Sequence, residues 1–190
     1  MKKLIFTILI ASLGFASCNN NKYKKEISKI DSLYIIIDSI EKTLSTIDTV
    51  NIRNIYKEYS ENINEIKENF NDKKEDSVWS VITNYGVIKT PLKNYVNDFR
   101  GYYNEIKFSK KQLDDLKADI KDGNIKEEKI SDYTKNETEA VIKLKELVEI
   151  NVNGVKEKLK LFDSLNPKVI KIINNLKKNL KSEISKNKNI

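Results

Sequence analysis

Carboxylates are the most plentiful reactive groups in the chain, and Asp114-Asp115, Glu127-Glu128 and Glu137 with Glu139 each set two acids close together. Two carboxylates can work as general acid and base when burial drives their proton affinities apart. Here every pair sits among lysines on faces that read as solvated, so no catalytic residue is assigned. Histidine is missing from the sequence, which excludes imidazole acid–base pairs and histidine-ligated metals. The single cysteine, Cys18, excludes an intramolecular disulfide and a thiolate zinc cage. Lys121-Asp122-Gly123-Asn124 has too few oxygens in register for a calcium loop. Neither G-x-x-x-x-G-K nor G-x-G-x-x-G occurs, so no phosphate-cradling loop is readable. The chain is read as a non-enzyme, with no metal, no cofactor and no small-molecule substrate inferred.

The basic side chains are the next candidates. Lysine supplies 33 of the 35 basic residues, and Arg53 and Arg100 are the only arginines. With 27 isoleucines and 23 asparagines beside them, the lysines follow A/T-rich codon usage. A nucleic-acid binder would favour arginine, whose planar fork grips phosphate and guanine, so nucleic acid is not expected as a partner. Residues 22–166 are neutral within one charge in each third, whereas residues 167–190 set seven lysines against Glu183 alone. Lys168, Lys171, Lys177, Lys178, Lys181, Lys186 and Lys188 are therefore the candidate contacts for an acidic polymer, an anionic membrane or an acidic protein. The plainer reading is a solvated helix end whose lysines complement the helix dipole.

Cys18 carries the strongest signal. Met1-Lys2-Lys3 is a basic start, residues 4–16 are apolar apart from Thr7, Ser12 and Gly14, and Ala16-Ser17 precede the cysteine. Such an order describes a secretory signal peptide, and the apolar stretch is too short for a comfortable membrane span. The site resembles the bacterial lipobox, in which signal peptidase cuts before the cysteine and a diacylglycerol joins its sulfur. Phe15 stands where that motif usually has leucine. The resemblance implies a signal peptide over 1–17, palmitate-type acyl chains on Cys18 and a polar tether over 18–22. Each methylene buried in the bilayer contributes about 0.8 kcal/mol to such an anchor. The plainer alternative is an ordinary signal peptide followed by an incidental cysteine. No later apolar run is long enough to span a membrane, and no acidic cluster follows Cys18. The expected location is the bacterial cell envelope, membrane-anchored and periplasm-facing.

The elements that would position these groups are helices. Only 5 glycines and 2 prolines argue against a strand-rich sandwich or barrel. Ile30, Leu33, Ile37, Ile40, Leu44 and Ile47 recur at heptad spacing. The stripe resumes through Ile52, Ile55, Tyr59, Ile63, Ile66 and Phe70. A second runs from Val78 to Ile120. A third runs through Ile130, Tyr133, Val141, Leu144 and on to Leu165, with Val169, Ile173, Leu176, Leu180 and Ile184 extending it. Asp72 can cap the second arm, and Gly123 suits a left-handed cap at its end. Three arms, about 22–70, 73–122 and 125–165, predict an all-α fold. Its expected form is an elongated antiparallel three-helix bundle, a coiled-coil-like rod with kinks near Thr49, Pro91 and Pro167. The helical bundle proper is expected over 23–166 and a basic helix or tail over 167–190. The arithmetic of an antiparallel chain sets Pro91 level with Asn51 and Val155, and Arg100 level with Glu41 and Glu146 as an ion pair. Tyr95, Phe99, Tyr102, Tyr103 and Trp79 lie near the expected breaks, either as core or as the wall of a groove. Arms that do not fold back would instead form an intermolecular coiled coil.

The stretch from Lys110 to Asn124, the long Glu/Lys helix after it and the run from Leu161 to Pro167 resemble small lipoproteins of Bacteroidota-type bacteria. That resemblance implies an envelope location and a helical fold, and it brings no active residues. The functional expectation is a lipid-anchored helical protein of structural or protein-interaction type, with a protein partner or self-association. The alternative is an envelope binder that works through its basic C-terminal segment.

Overall fold

The computed structural model describes residues 22–69 and 76–187. All regular structure among them is α-helical, in the order α1 (Lys24–Ser45), α2 (Thr49–Asn69), α3 (Asp76–Gly86), α4 (Lys89–Asp122) and α5 (Glu127–Asn187). The all-α class follows from the stripes that the sequence spacing marks. Ile30, Leu33, Ile37, Ile40, Leu44 and Ile47 are all buried, as are Ile52, Tyr59, Tyr85, Ile88, Leu92 and Tyr95.

Each expected arm divides, or fails to divide, for a local reason. The first arm splits after Ser45. There Thr46 and Ile47 turn back in short bonds to the carbonyls of Thr43 and Leu44, each 3.2 Å. Asp48 then opens α2 as its N-cap, its carboxylate accepting from the amides of Val50 at 2.9 Å and Asn51 at 3.1 Å. The second arm splits at Val87 and Ile88, just upstream of Pro91. Pro91 is the third residue of α4, where a missing N–H costs nothing because the first turn has no helical acceptors for its donors. Its ring would clash with the Val87 carbonyl if α3 continued, so the chain starts a new helix just upstream.

The third arm does not break. α5 runs through Gly154 and through Pro167 to Asn187, so the expected interruption at Asn166-Pro167 is corrected, and residues 168–187 continue the same helix. Packing outweighs the proline, because Phe162, Leu165, Val169, Ile173 and Leu176 are buried on both sides of it. The cap at Gly123 is as expected. Its φ is 71°, and the Asn124 amide reaches the Asp119 carbonyl at 2.9 Å, closing α4 in a Schellman turn. The proposed cap at Asp72 lies outside the described residues.

The chain divides into two compact units, the first from Met1–Ile40 with Asn104–Lys145 and the second from Glu41–Tyr103 with Glu146–Ile190. In the first, Ile30, Leu33 and Ile37 of α1 are buried together with Ile106, Leu113 and Ile120 of α4 and Ile130, Val141 and Leu144 of α5. Lys22 pairs with Glu127 at 2.6 Å, Lys110 with Asp38 at 3.1 Å, and Lys117 with Asp31. Such exposed pairs are worth little singly. Tyr34 donates to Asp114, and burial, reinforced by that hydrogen bond, pushes its phenol up from the ordinary value.

The α5 stripe of this unit departs from the sequence reading. Thr134, not Tyr133, fills the position after Ile130. It is buried, with its hydroxyl donating to the Ile130 carbonyl at 2.8 Å, while Tyr133 is exposed. One turn on, Glu137 is half-buried, and burial raises its carboxyl above the usual value. A carboxyl that holds its proton more tightly when folded opposes folding once ionised. That penalty is present at neutral pH and is relieved as pH falls through the folded-state value toward the unfolded value of about 4.3. Glu137→Gln is therefore expected to raise the urea midpoint at neutral pH, with the gain disappearing in acid. Parallel urea titrations at the two pH values measure it, and a gain that does not change with pH would exclude the carboxyl as its source.

Candidate functional site

The acids singled out by the sequence are not gathered into a site. Asp114 accepts from Tyr34, Asp115 pairs with Lys111 at 2.7 Å, Glu127 with Lys22, and Glu139 with Lys135 at 3.7 Å. Among the described residues no three of His, Cys, Asp and Glu are grouped to hold a metal ion. Cys18 and Lys188 lie outside the described residues. Lys168, Lys171, Lys178 and Lys181 are exposed along α5, and Lys177 is joined to Glu65 at 2.7 Å. Lys168 and Lys171 border a shallow hollow of about 280 Å³ with Val78, Val81 and Ile172.

Two arrangements in the second unit were not legible beforehand. One is a polar node joining α2, α3 and α5. Asn166 Oδ1 accepts from Tyr85 Oη at 2.8 Å and from Asn62 Nδ2 at 2.9 Å, while Asn166 Nδ2 donates to Glu58 Oε1 at 2.6 Å. Tyr85 is fully buried, tilted against Tyr59 at 5.0 Å and stacked on Phe162 at 5.9 Å. Burial pushes its phenol up to about 12, with the Glu58 carboxylate adding to the rise and the Asn62 hydrogen bond opposing it. A buried hydroxyl needs such partners, because leaving one unpaired costs about 1–3 kcal/mol. The node fixes three helices beside Pro167, and its role is structural.

The other arrangement is a hollow of about 490 Å³ lined by Arg53 of α2 and by Val96, Asn97, Phe99, Arg100 and Tyr103 of α4. Helical periodicity explains the α4 wall: residues 96, 99, 100 and 103 recur at steps of three and four and share one face. Ile52 next to Arg53 is buried, which holds the α2 wall in place. Phe99 and Tyr103 meet edge to face at 5.0 Å, and Phe99 also contacts Tyr95 at 5.7 Å. The aromatic cluster therefore divides, with Tyr95 and Tyr102 in the core and Phe99 and Tyr103 on the hollow. Tyr95 Oη is buried without a hydrogen-bond partner among the described residues. Burial, with the neighbouring Tyr103 and Tyr102 hydroxyls, pushes it up to about 12.

Arg100, expected to pair with Glu41 and Glu146, instead lines this hollow with Arg53. Among the described residues neither guanidinium makes an ion pair or a hydrogen bond. The site thus offers two positive forks, one amide and an aromatic wall, a set suited to an anion with an apolar part. No protein-family model, no curated protein and no solved structure matches the chain.

Proposed function

We propose that the chain is a lipid-anchored, non-catalytic helical protein of the bacterial cell envelope. In this reading it resembles the small lipoproteins of Bacteroidota-type bacteria, faces the periplasm and acts by binding, to a partner protein or to its own copies. The observation that carries the reading is the place of the only cysteine, directly behind a basic start, an apolar stretch and Ala16-Ser17. Among the described residues no helix is long and apolar enough to cross a membrane; the attachment proposed is through acyl chains at Cys18. The alternative, engagement of an acidic polymer or anionic membrane by the basic C-terminal segment, draws on exposed Lys168, Lys171, Lys178 and Lys181.

The same proposal includes antiparallel three-arm packing within each unit. Its support in the first unit is the stepping of contacts: as α1 advances from Asp31 through Tyr34 to Asp38, α4 retreats from Lys117 through Asp114 to Lys110. In the second unit, Glu58 and Asn62 reach Asn166 and Glu65 reaches Lys177. Numbers rise together there, the relation that an up-down-up chain gives its first and third arms. Bends at the breaks beside Thr49 and Pro91 belong to the same reading.

Mass spectrometry of the mature N-terminal peptide, joined to fractionation of cells, tests the anchor. Wild type is expected in the membrane fraction with acyl mass on Cys18, and Cys18→Ser is expected to lose the acyl mass. An unmodified thiol on a mature wild-type protein would sink the anchor.

A further inference from the structure

The hollow on α2 and α4 gathers every arginine that the chain contains. A sequence with 33 lysines and 2 arginines places both arginines, and no lysine, among the residues lining one cavity. For a merely solvated face lysine would do as well, and lysine is what this chain uses everywhere else. What arginine adds is a planar fork of fixed donors that takes two oxygens of one anion at once and stacks on aromatic rings. Neither fork is engaged by a protein acid among the described residues. Asn97 supplies a further polar group, and half-buried Val96 and Phe99 with Tyr103 supply an apolar wall. The volume of about 490 Å³ falls within the usual range for small-molecule sites. Two guanidinium groups without a partner among the described residues match a doubly charged oxyanion better than a carboxylate, which carries one charge and two oxygens. A phosphate monoester carries about −1.5 to −2 charges at neutral pH and three acceptor oxygens.

We propose that this hollow binds a phosphate monoester on an apolar carrier, the Arg53 and Arg100 guanidinium groups holding the phosphate and Phe99 with Tyr103 packing on the carrier. The assignment goes beyond the anchored binding role and does not depend on it, since no lining residue comes from the N-terminal segment. The carrier can be soluble or can be a lipid, and the test separates these sources.

Isothermal titration of the full-length chain in detergent micelles with phenyl phosphate reads the soluble case. Flotation with phosphatidylcholine vesicles, with and without phosphatidic acid, reads the lipid case, using the mature chain from Asn19 so that neither the acyl anchor nor the apolar leader carries it to every vesicle. Arg53→Lys and Arg100→Lys keep the charge and remove the fork, and helical circular dichroism with the urea midpoint checks that each variant folds. Saturable binding of phenyl phosphate is expected, at least tenfold weaker in either lysine variant and unchanged in Lys168→Gln/Lys171→Gln. Flotation that needs phosphatidic acid and is lost in the folded arginine variants supports the same site with a lipid carrier. Two results overturn the proposal: no saturable binding in either arm by folded protein, or binding that survives Arg53→Lys/Arg100→Lys together.

Discussion

Replacing Pro167 with alanine is expected to raise the unfolding free energy by about 3 kcal/mol, the usual cost of a proline inside a helix. α5 is continuous across this residue. Alanine would restore the amide that the Asp163 carbonyl otherwise lacks and would remove the ring from the preceding turn. The gain should be available because the neighbouring turns are already helical and held by packing. Phe162 and Leu165 are buried ahead of the proline, and Val169 and Ile173 behind it. Urea unfolding followed by circular dichroism measures the change. An unaltered or lower midpoint would mean that the backbone around residues 163–167 has relaxed about the ring and that the surrounding side chains are built on that relaxation.

The residue before it should respond in the opposite direction. Asn166→Leu removes the acceptor of Tyr85 and Asn62 and the donor to Glu58 in one step. The Tyr85 hydroxyl, with no exposure of its own, would keep only its 3.2 Å approach to Asn62. With about 1–3 kcal/mol for each buried polar group left unpaired, a loss of about 2–4 kcal/mol is expected. Tyr85→Phe provides the contrast. It deletes one hydroxyl and leaves the Asn62–Asn166 bond in place, so about 1 kcal/mol is expected. The two substitutions together should cost less than their sum, because Tyr85→Phe removes the very group that Asn166→Leu would strand. Additive losses in the same urea series would show that the node is not acting as one network. Adjacent residues with opposite signs would also separate the chemistry of each side chain from any general fragility of the helix.

How much of this was readable in advance depended on sequence distance. The burial stripes were legible because helical period is a local property, and the heptad run from Ile30 to Ile47 is buried throughout. The Gly123 cap was legible because a left-handed residue at a helix end strongly favours glycine. Helix breaks were less so. Their places beside Thr49 and Pro91 were readable, but not that Asp48 caps α2 or that Pro91 sits in the first turn of α4. Pro167 breaks nothing, since the apolar stripe on either side of it outweighs its local preference. The polar layer at Thr134 and Glu137 was hidden because a stripe is sought among apolar residues. Asn62, Tyr85 and Asn166 come from three helices, and no spacing rule joins them. Arg53 and Arg100 come to line one hollow only through the folding of α2 and α4. Their rarity was the one available clue, and it was read as an ion pair for Arg100 alone.

The order in which the two units take their segments bears on how the polypeptide is born. They alternate along the chain, with the first using Met1–Ile40 and Asn104–Lys145 and the second using Glu41–Tyr103 and Glu146–Ile190. A chain delivered N-terminus first completes the first unit's share at Lys145, while the second still waits for its final stretch. During that interval the stripes of α2 and α3 have no third wall, and they are the surfaces most exposed to wrong partners. Neither unit can be excised as a continuous piece, and a stop codon before Glu146 would leave the second without the helix that carries Phe162, Asn166 and Val169. Nascent α2 and α3 are therefore where a chaperone would have most to protect.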